Sequence, residues 1–271
     1  MTSNTQVKVA ILGCSGRMGR NLIQAAVEHK SMELVGGSVR ASSSFVNFDL
    51  GELAGIGAIN LQTSTTLDEM KNADVFIDFT SIESTLENLV WCQQHNKAIV
   101  IGTTGFSQKE EFLIKKFSKK IPILKAGNMS LGVNLLMYLT EVASKSLNDE
   151  YLSKVFEVHH KHKKDYPSGT ALMLGKGIAN GRKKDFYNLM GKKFLNKKTF
   201  PYGKKINFNS IRKGEIIGEH EVTFSSGKEI IKLNHEAFDR ALYSDGALTA
   251  ARWLINKKPG LYSMRDLLNF K

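Results

Sequence analysis

Over the first half of the chain, short apolar runs alternate with amphipathic segments, and the rhythm changes near residue 130. Residues 7–12 (VKVAIL) run into Gly13 and predict a buried strand. Residues 17–29 carry Met18, Leu22, Ala25 and Ala26 at helical spacing. Further strands are expected at 34–39, 75–79, 98–101 and 121–126, with helices over 83–95 and 109–120. Residues 41–59 read as loop, given Ser42, Ser43, Ser44 and glycines 51, 55 and 57. Alternation of this kind predicts an α/β fold, a Rossmann-like doubly wound parallel sheet with helices on both faces. After Gly127 come a long helix at 131–146, a strand at 154–160, and strand-like stretches at 206–211, 216–224 and 229–237. These predict a second α+β domain carrying a mixed sheet. Residues 241–255 form an amphipathic helix stopped by Pro259 and Gly260.

Composition narrows the class. A chain of 271 residues, 42% hydrophobic and 24% charged, suits one large domain or two ordinary ones. No run reaches the ~20 apolar residues of a membrane span, and MTSNTQ lacks the charged and apolar regions of a secretory signal. Two cysteines, Cys14 and Cys92, suit a reducing compartment, so the expectation is a cytoplasmic protein. Net charge is +12, and residues 182–213 hold eleven basic side chains against Asp185 alone. Aromatic residues are not interleaved at stacking intervals, so this stretch reads as a solvated face and no nucleic-acid partner is expected.

The loop Gly13-Cys14-Ser15-Gly16-Arg17-Met18-Gly19 lies between a strand and a helix, the context of a dinucleotide-binding turn. Its spacing is G-x-x-G-x-x-G rather than G-x-G-x-x-G. Cys14 at a helix start is open to a lowered thiol pKa, although a small filler role is the simpler reading. The second strand ends Ser38-Val39-Arg40, with no carboxylate to accept a ribose hydroxyl. Arg40 would attract a 2′-phosphate, so NADPH is expected over NADH. Loops at Gly102-Thr103-Thr104 and Ala126-Gly127-Asn128-Met129 follow later strands, on the edge where such folds bind ligands.

Residues 159–171, HHKHKKDYPSGTA, concentrate the chemistry. Histidines and lysines here are proton donors, and Ser168-Gly169-Thr170 precedes an apolar run as a helix N-terminus would, ready for an anion. Zinc binding is not expected: adjacent histidines point apart on a strand, and no paired-cysteine or H-E-x-x-H spacing occurs.

These motifs, with Asp78-Phe79-Thr80, GTTGF at 102–106, NMSLGV at 128–133 and RKGEIIGEH at 212–220, resemble the dihydrodipicolinate reductase family over nearly the whole chain. The resemblance implies a dinucleotide-binding domain of residues 1–130 plus 241–271. Residues 131–240 would form a substrate-binding and oligomerisation domain, within a homotetramer. It implies that His159 and Lys163 are catalytic proton groups, and that His160, Ser168, Gly169 and Thr170 contact a cyclic dicarboxylate. Gly13, Cys14, Ser15, Gly16, Arg17, Met18, Gly102, Thr103, Thr104, Ala126, Gly127, Asn128 and Met129 would contact the cofactor. Arg240 is a candidate for the same dicarboxylate pocket, or for a structural ion pair. The implied reaction is NADPH-dependent reduction of the substrate ring in lysine and diaminopimelate synthesis. The family often has an acidic residue where this chain has Val39, which is a reason to expect weaker NADH use. A related amino-acid dehydrogenase, such as aspartate dehydrogenase, and a non-catalytic NADPH-binding protein are the alternatives.

Overall fold

The structure, a computed structural model, describes residues 6–147, 149–190 and 205–270. The chain divides into two units, residues 1–130 with 241–271 and residues 131–240.

In the first unit, β1 (Val7–Leu12) leads into α1 (Arg17–Glu28) and β2 (Met32–Ser38). Then follow α2 (Leu50–Ala54), β3 (Thr63–Ser64), a 3-10 turn (Leu67–Met70), β4 (Val75–Asp78), α3 (Ile82–Gln94), β5 (Ala98–Ile101), α4 (Gln108–Phe117) and β6 (Pro122–Lys125). The second unit contains α5 (Leu131–Ser146), β7 (Leu152–His159), α6 (Gly169–Gly181), α7 (Phe186–Met190), β8 (Asn207–Arg212), β9 (Gly218–Ser225) and β10 (Ile230–Ala237). The first unit is completed by α8 (Ala241–Leu254), β11 (Gly260–Tyr262) and α9 (Met264–Leu267).

Seven strands of the first unit form a parallel sheet in the order β11-β6-β5-β4-β1-β2-β3. Successive strand residues face opposite sides. Val9, Ile11, Val75, Ile77 and Val100 pack with Leu22 and Ile23 of α1 and Ala247, Leu248 and Ala251 of α8. Ala10, Leu12, Phe76, Ile99 and Ile101 pack on the other side with Leu89 and Cys92 of α3 and Ile114 of α4. Both faces are covered, which is why the strands are continuously apolar in sequence.

Several short elements differ from expectation. Residues 41–59 include α2, whose N-cap Asp49 accepts from the N–H groups of Gly51 and Glu52 and also holds Ile59 and Leu61. One carboxylate organises a segment whose serines and glycines read only as loop. β3 and β11 have two and three residues, too few for a periodic signal. Gly260 both follows the end of α8 and opens β11 against Pro122.

The second unit has a four-stranded mixed sheet, β10-β9-β7-β8. β7 pairs antiparallel with β9 and parallel with β8. Its core joins Val155, Phe208, Val222 and Phe224 of the sheet to Leu136 of α5 and to Leu174 and Ile178 of α6. Among the described residues, no helix is long and apolar enough to cross a membrane. Residues 191–204 of the basic stretch, and residues 1–5 of the amino-terminal reading, lie outside the described residues.

Candidate active site

In the first unit, β1 lies between β2 and β4, so the strand order reverses at its carboxyl end. Doubly wound sheets place ligands at such a switch point. A cleft of about 840 Å³ occupies it, lined by Gly13, Ser15, Gly16, Arg40, Thr80 and Asn88 among others. Gly13 has φ +70°, and a Cβ there would stand 2.7 Å from Thr80 Cγ2. The Gly16 N–H closes the turn on the Gly13 carbonyl at 3.0 Å, and Gly16 is exposed. A glycine-shaped turn at a helix start, open to a cleft, fits a pyrophosphate. Arg17 and Met18 form the first turn of α1 beside it.

Cys14 is fully buried, and burial pushes its thiol up to about 12. Of the two readings open for Cys14, this supports the small filler and rules out a lowered thiol pKa: loss of water outweighs the backbone N–H groups and Arg20. Cys14 fills space. At the end of β2, Val39 is buried while Arg40 is exposed beside Ser42, Ser43 and Ser44. Asp78, also buried, accepts from the Thr80 N–H and hydroxyl and from Asn88 Nδ2, holding the loop after β4.

Gly102, Thr103 and Thr104 follow β5, and Ala126, Gly127, Asn128 and Met129 follow β6, at the same sheet edge. Thr103 is buried on Thr85, and Met129 is 1% exposed. Their side chains are structural, so backbone groups are what these two positions offer a ligand. Asn128 Oδ1 accepts from the Ser130 N–H.

In the second unit, β7 delivers Glu157 and His159 two residues apart, on one face of the strand. Both are buried, at 1% and 6% exposure. Glu157 Oε2 stands 3.1 Å from His159 Nδ1, an ion-pair distance whose N–H direction is not aligned as a full hydrogen bond. Oε1 of the same carboxylate accepts from the Ser168 N–H at 2.9 Å and from Arg212 Nη2 at 3.1 Å. Burial alone would push the Glu157 carboxyl up. The His159 imidazole beside it, with hydrogen bonds from Ser168 and Ser210, outweighs this and holds the group well below the usual range.

Lys163 is half-buried and 3.0 Å from Asp165. Its carbonyl accepts from Arg212 Nε at 3.3 Å, and Arg212 also binds the Asp165 carbonyl and stacks on Tyr166 at 4.1 Å. Burial and the positive neighbours Arg240, His159, His162 and Lys163 hold His160 below its ordinary pKa. Arg240 is exposed and forms no ion pair among the described residues. His162 is exposed near Glu215.

Ser168 caps α6, its Oγ accepting from the Ala171 N–H. Its own N–H is committed to Glu157, so Ser168 does not offer that amide to the expected anion cradle; Gly169 and Thr170 are the next positions of the helix end. His220, opposite Glu157 on β9, stacks edge-on to His159 at 5.0 Å. Burial, then the His159 charge, pushes the His220 pKa down to about 3. Glu157, His159 and His220 bring ligand-type atoms within 4.8 Å of one another. That grouping was not expected, although one oxygen of the carboxylate is already bound to Arg212 and Ser168. The sequence assigns no role to Glu157, Arg212 or His220, although Arg212 and His220 bound the RKGEIIGEH motif and Glu157 lies one strand period before His159.

Parallel sheet, glycine turn and switch-point cleft define the Rossmann-type class of dinucleotide-binding dehydrogenases. Family models described as "Dihydrodipicolinate reductase, N-terminus" and "Dihydrodipicolinate reductase, C-terminus" match residues 7–129 and 132–268. The chain is 70% identical over 266 residues to the 4-hydroxy-tetrahydrodipicolinate reductase of Pelagibacter ubique (strain HTCC1062), covering 98% of this chain and 99% of that one. Identity is 51% to the enzyme of the same name from Colwellia psychrerythraea (strain 34H / ATCC BAA-681), over 98% of this chain and 99% of the other. The chain therefore belongs to the dihydrodipicolinate reductase family. Its fold resembles that of the dipicolinate-bound dihydrodipicolinate reductase from Paenisporosarcina sp. TG-14, with TM-score 0.78 and 24% identity, over 98% of this chain and 100% of that one. A probable dehydrogenase from Thermotoga maritima shares the fold at TM-score 0.62 and 10% identity, over 96% and 92% of the two chains.

Proposed function

We propose that this protein reduces 4-hydroxy-tetrahydrodipicolinate, the compound named in its relatives, using NADPH, in lysine and diaminopimelate synthesis. The observation that carries the reading is local to the second unit. A buried imidazole on a carboxylate, a lysine and a helix N-terminus all belong to the 157–170 segment. That set binds a dicarboxylate and supplies a proton.

The first-unit cleft holds the dinucleotide: the 13–18 turn takes the pyrophosphate, and the loops at 102–104 and 126–129 take the ribose and nicotinamide end. Arg40 takes the 2′-phosphate. When bound, NADPH supplies hydride to ring carbon 4. Gly169 and Thr170 at the helix end, with Lys163 and His160, neutralise a substrate carboxylate. Arg240, exposed beside His160, is assigned to the same anion rather than to a structural pair. His159 or Lys163 then protonates the negative charge left on the ring, a step typically worth about 10²–10⁴-fold in rate. We place the protein in the cytoplasm as a homotetramer, which sedimentation at micromolar concentration checks.

The test is NADPH oxidation with substrate made freshly from pyruvate and aspartate semialdehyde. His159→Gln should lower kcat about 10²-fold or more with little change in KM, and Lys163→Ala should damage both. No turnover by the wild type, with NADPH still bound, would leave a binding protein and overturn the proposal. Arg40→Ala should raise the KM for NADPH about tenfold and leave that for NADH unchanged; equal effects on both would remove the phosphate assignment.

A further inference from the structure

We propose that Glu157 is a positioning residue that sets the tautomer of His159 and ties it to the anion-binding end of α6. The inference rests on the proton-donor reading of His159 above. Three strands and a helix converge on this one carboxylate. Its Oε1 accepts from the Ser168 N–H at 2.9 Å and from Arg212 Nη2 at 3.1 Å. Those two are obligate donors, so they orient the group and leave Oε2 towards His159 Nδ1 at 3.1 Å. Oε2 receives no aligned hydrogen bond in this geometry and faces Nδ1, and an ionised carboxylate only accepts. The proton of a neutral His159 therefore belongs on Nδ1, which leaves Nε2 to exchange a proton with a ligand.

The surroundings agree with this direction. His220 packs its ring edge-on against His159 and stays neutral near pH 7, so it adds no competing charge. At Nε2 the neighbour is Gly218, where a methyl group would stand 3.2 Å away; the glycine leaves that nitrogen uncrowded. Arg212 extends the same frame to Lys163 by binding the carbonyls of Lys163 and Asp165. Glu157 thus fixes His159 directly and Lys163 through Arg212.

Glu157→Gln reverses the polarity at one atom. Ser168 and Arg212 demand an oxygen at their side, which turns the amide NH₂ towards Nδ1. Nδ1 must then accept, and the proton of the neutral ring moves to Nε2. The experiment is ¹⁵N NMR of the imidazoles in full-length wild-type and E157Q protein, with steady-state kinetics on both and on His159→Gln. Wild-type His159 should show a protonated Nδ1 when neutral, and E157Q a protonated Nε2. The kcat of E157Q should fall about 10²-fold or more, towards that of His159→Gln, with substrate KM changing less than about threefold. An Nε2–H tautomer in the wild type would overturn the proposal even if E157Q does not fold. So would E157Q with near-wild-type kcat while His159→Gln is crippled. A His159→Gln variant that keeps full turnover would instead sink the parent reading. Loss of wild-type turnover on exhaustive chelation would also overturn the proposal, because Glu157, His159 and His220 would then be holding a metal.

Discussion

At the scale of single residues, environment decides what a side chain is for. Cys14 occupies the glycine turn, where a reactive thiol is conceivable from sequence, yet burial pushes its pKa to about 12. Almost none is thiolate at neutral pH. Cys92 is likewise buried, and its thiol is raised by desolvation. Both should resist alkylation by iodoacetamide in the native protein and react on unfolding, as mass spectrometry of labelled peptides will show. Rapid native labelling of Cys14 would contradict its packing. His159 and Lys163 stood out in sequence because they cluster; Glu157 did not, because a carboxylate two residues along a strand is ordinary until its burial is known. Arg212 and His220 open and close the 212–220 motif, but nothing local to it shows that they meet Glu157. They reach Glu157 from β8 and β9, through a register that pairs Glu157 with Ser210 and with His220.

Elements depend on where backbones approach one another. In α8, a Cβ at Gly246 would stand 1.8 Å from the Met129 carbonyl oxygen. The helix therefore lies directly on the 126–129 loop, which the proposed function gives to the cofactor. Gly246→Ala should displace that loop and destabilise the first unit by about 1–3 kcal/mol, the usual range for overpacking. Urea denaturation measures the loss, and NADPH titration should show weaker binding; an unchanged stability would mean the helix shifts freely. Long elements were legible because burial on one face leaves a period in the chain, as in α5 and α8. α2, β3 and β11 were not, since five, two and three residues cannot establish one.

For the molecule as a whole, two buried groups couple stability to acidity. The folded pKa of His220 is about 3, below the unfolded value of about 6.5, so the unfolded chain binds the extra proton between those values. Its contribution is complete above about pH 6.5 and declines as pH falls towards 3. Three to four pH units correspond to an order of 4–5 kcal/mol at the acid end. Glu157 is also depressed, so its contribution is complete above the ordinary carboxyl range and declines as pH falls through that range towards its lower folded pKa. Denaturant midpoints from pH 7 to pH 3.5 should fall steeply, and His220→Phe should flatten the upper part of that decline. A midpoint independent of pH over this range would refute both assignments.

Local physics settled a good deal in the chain itself. Two-sided burial wrote the parallel strands, helical periodicity wrote the long helices, and the glycine turn and the 159–170 cluster marked where ligand chemistry would sit. Charge state and partnership were left to tertiary contact. Whether Cys14 ionises, which atom orients His159, and which amide of α6 stays available all depend on desolvation and on donors from distant strands, and neither quantity exists until the chain has folded.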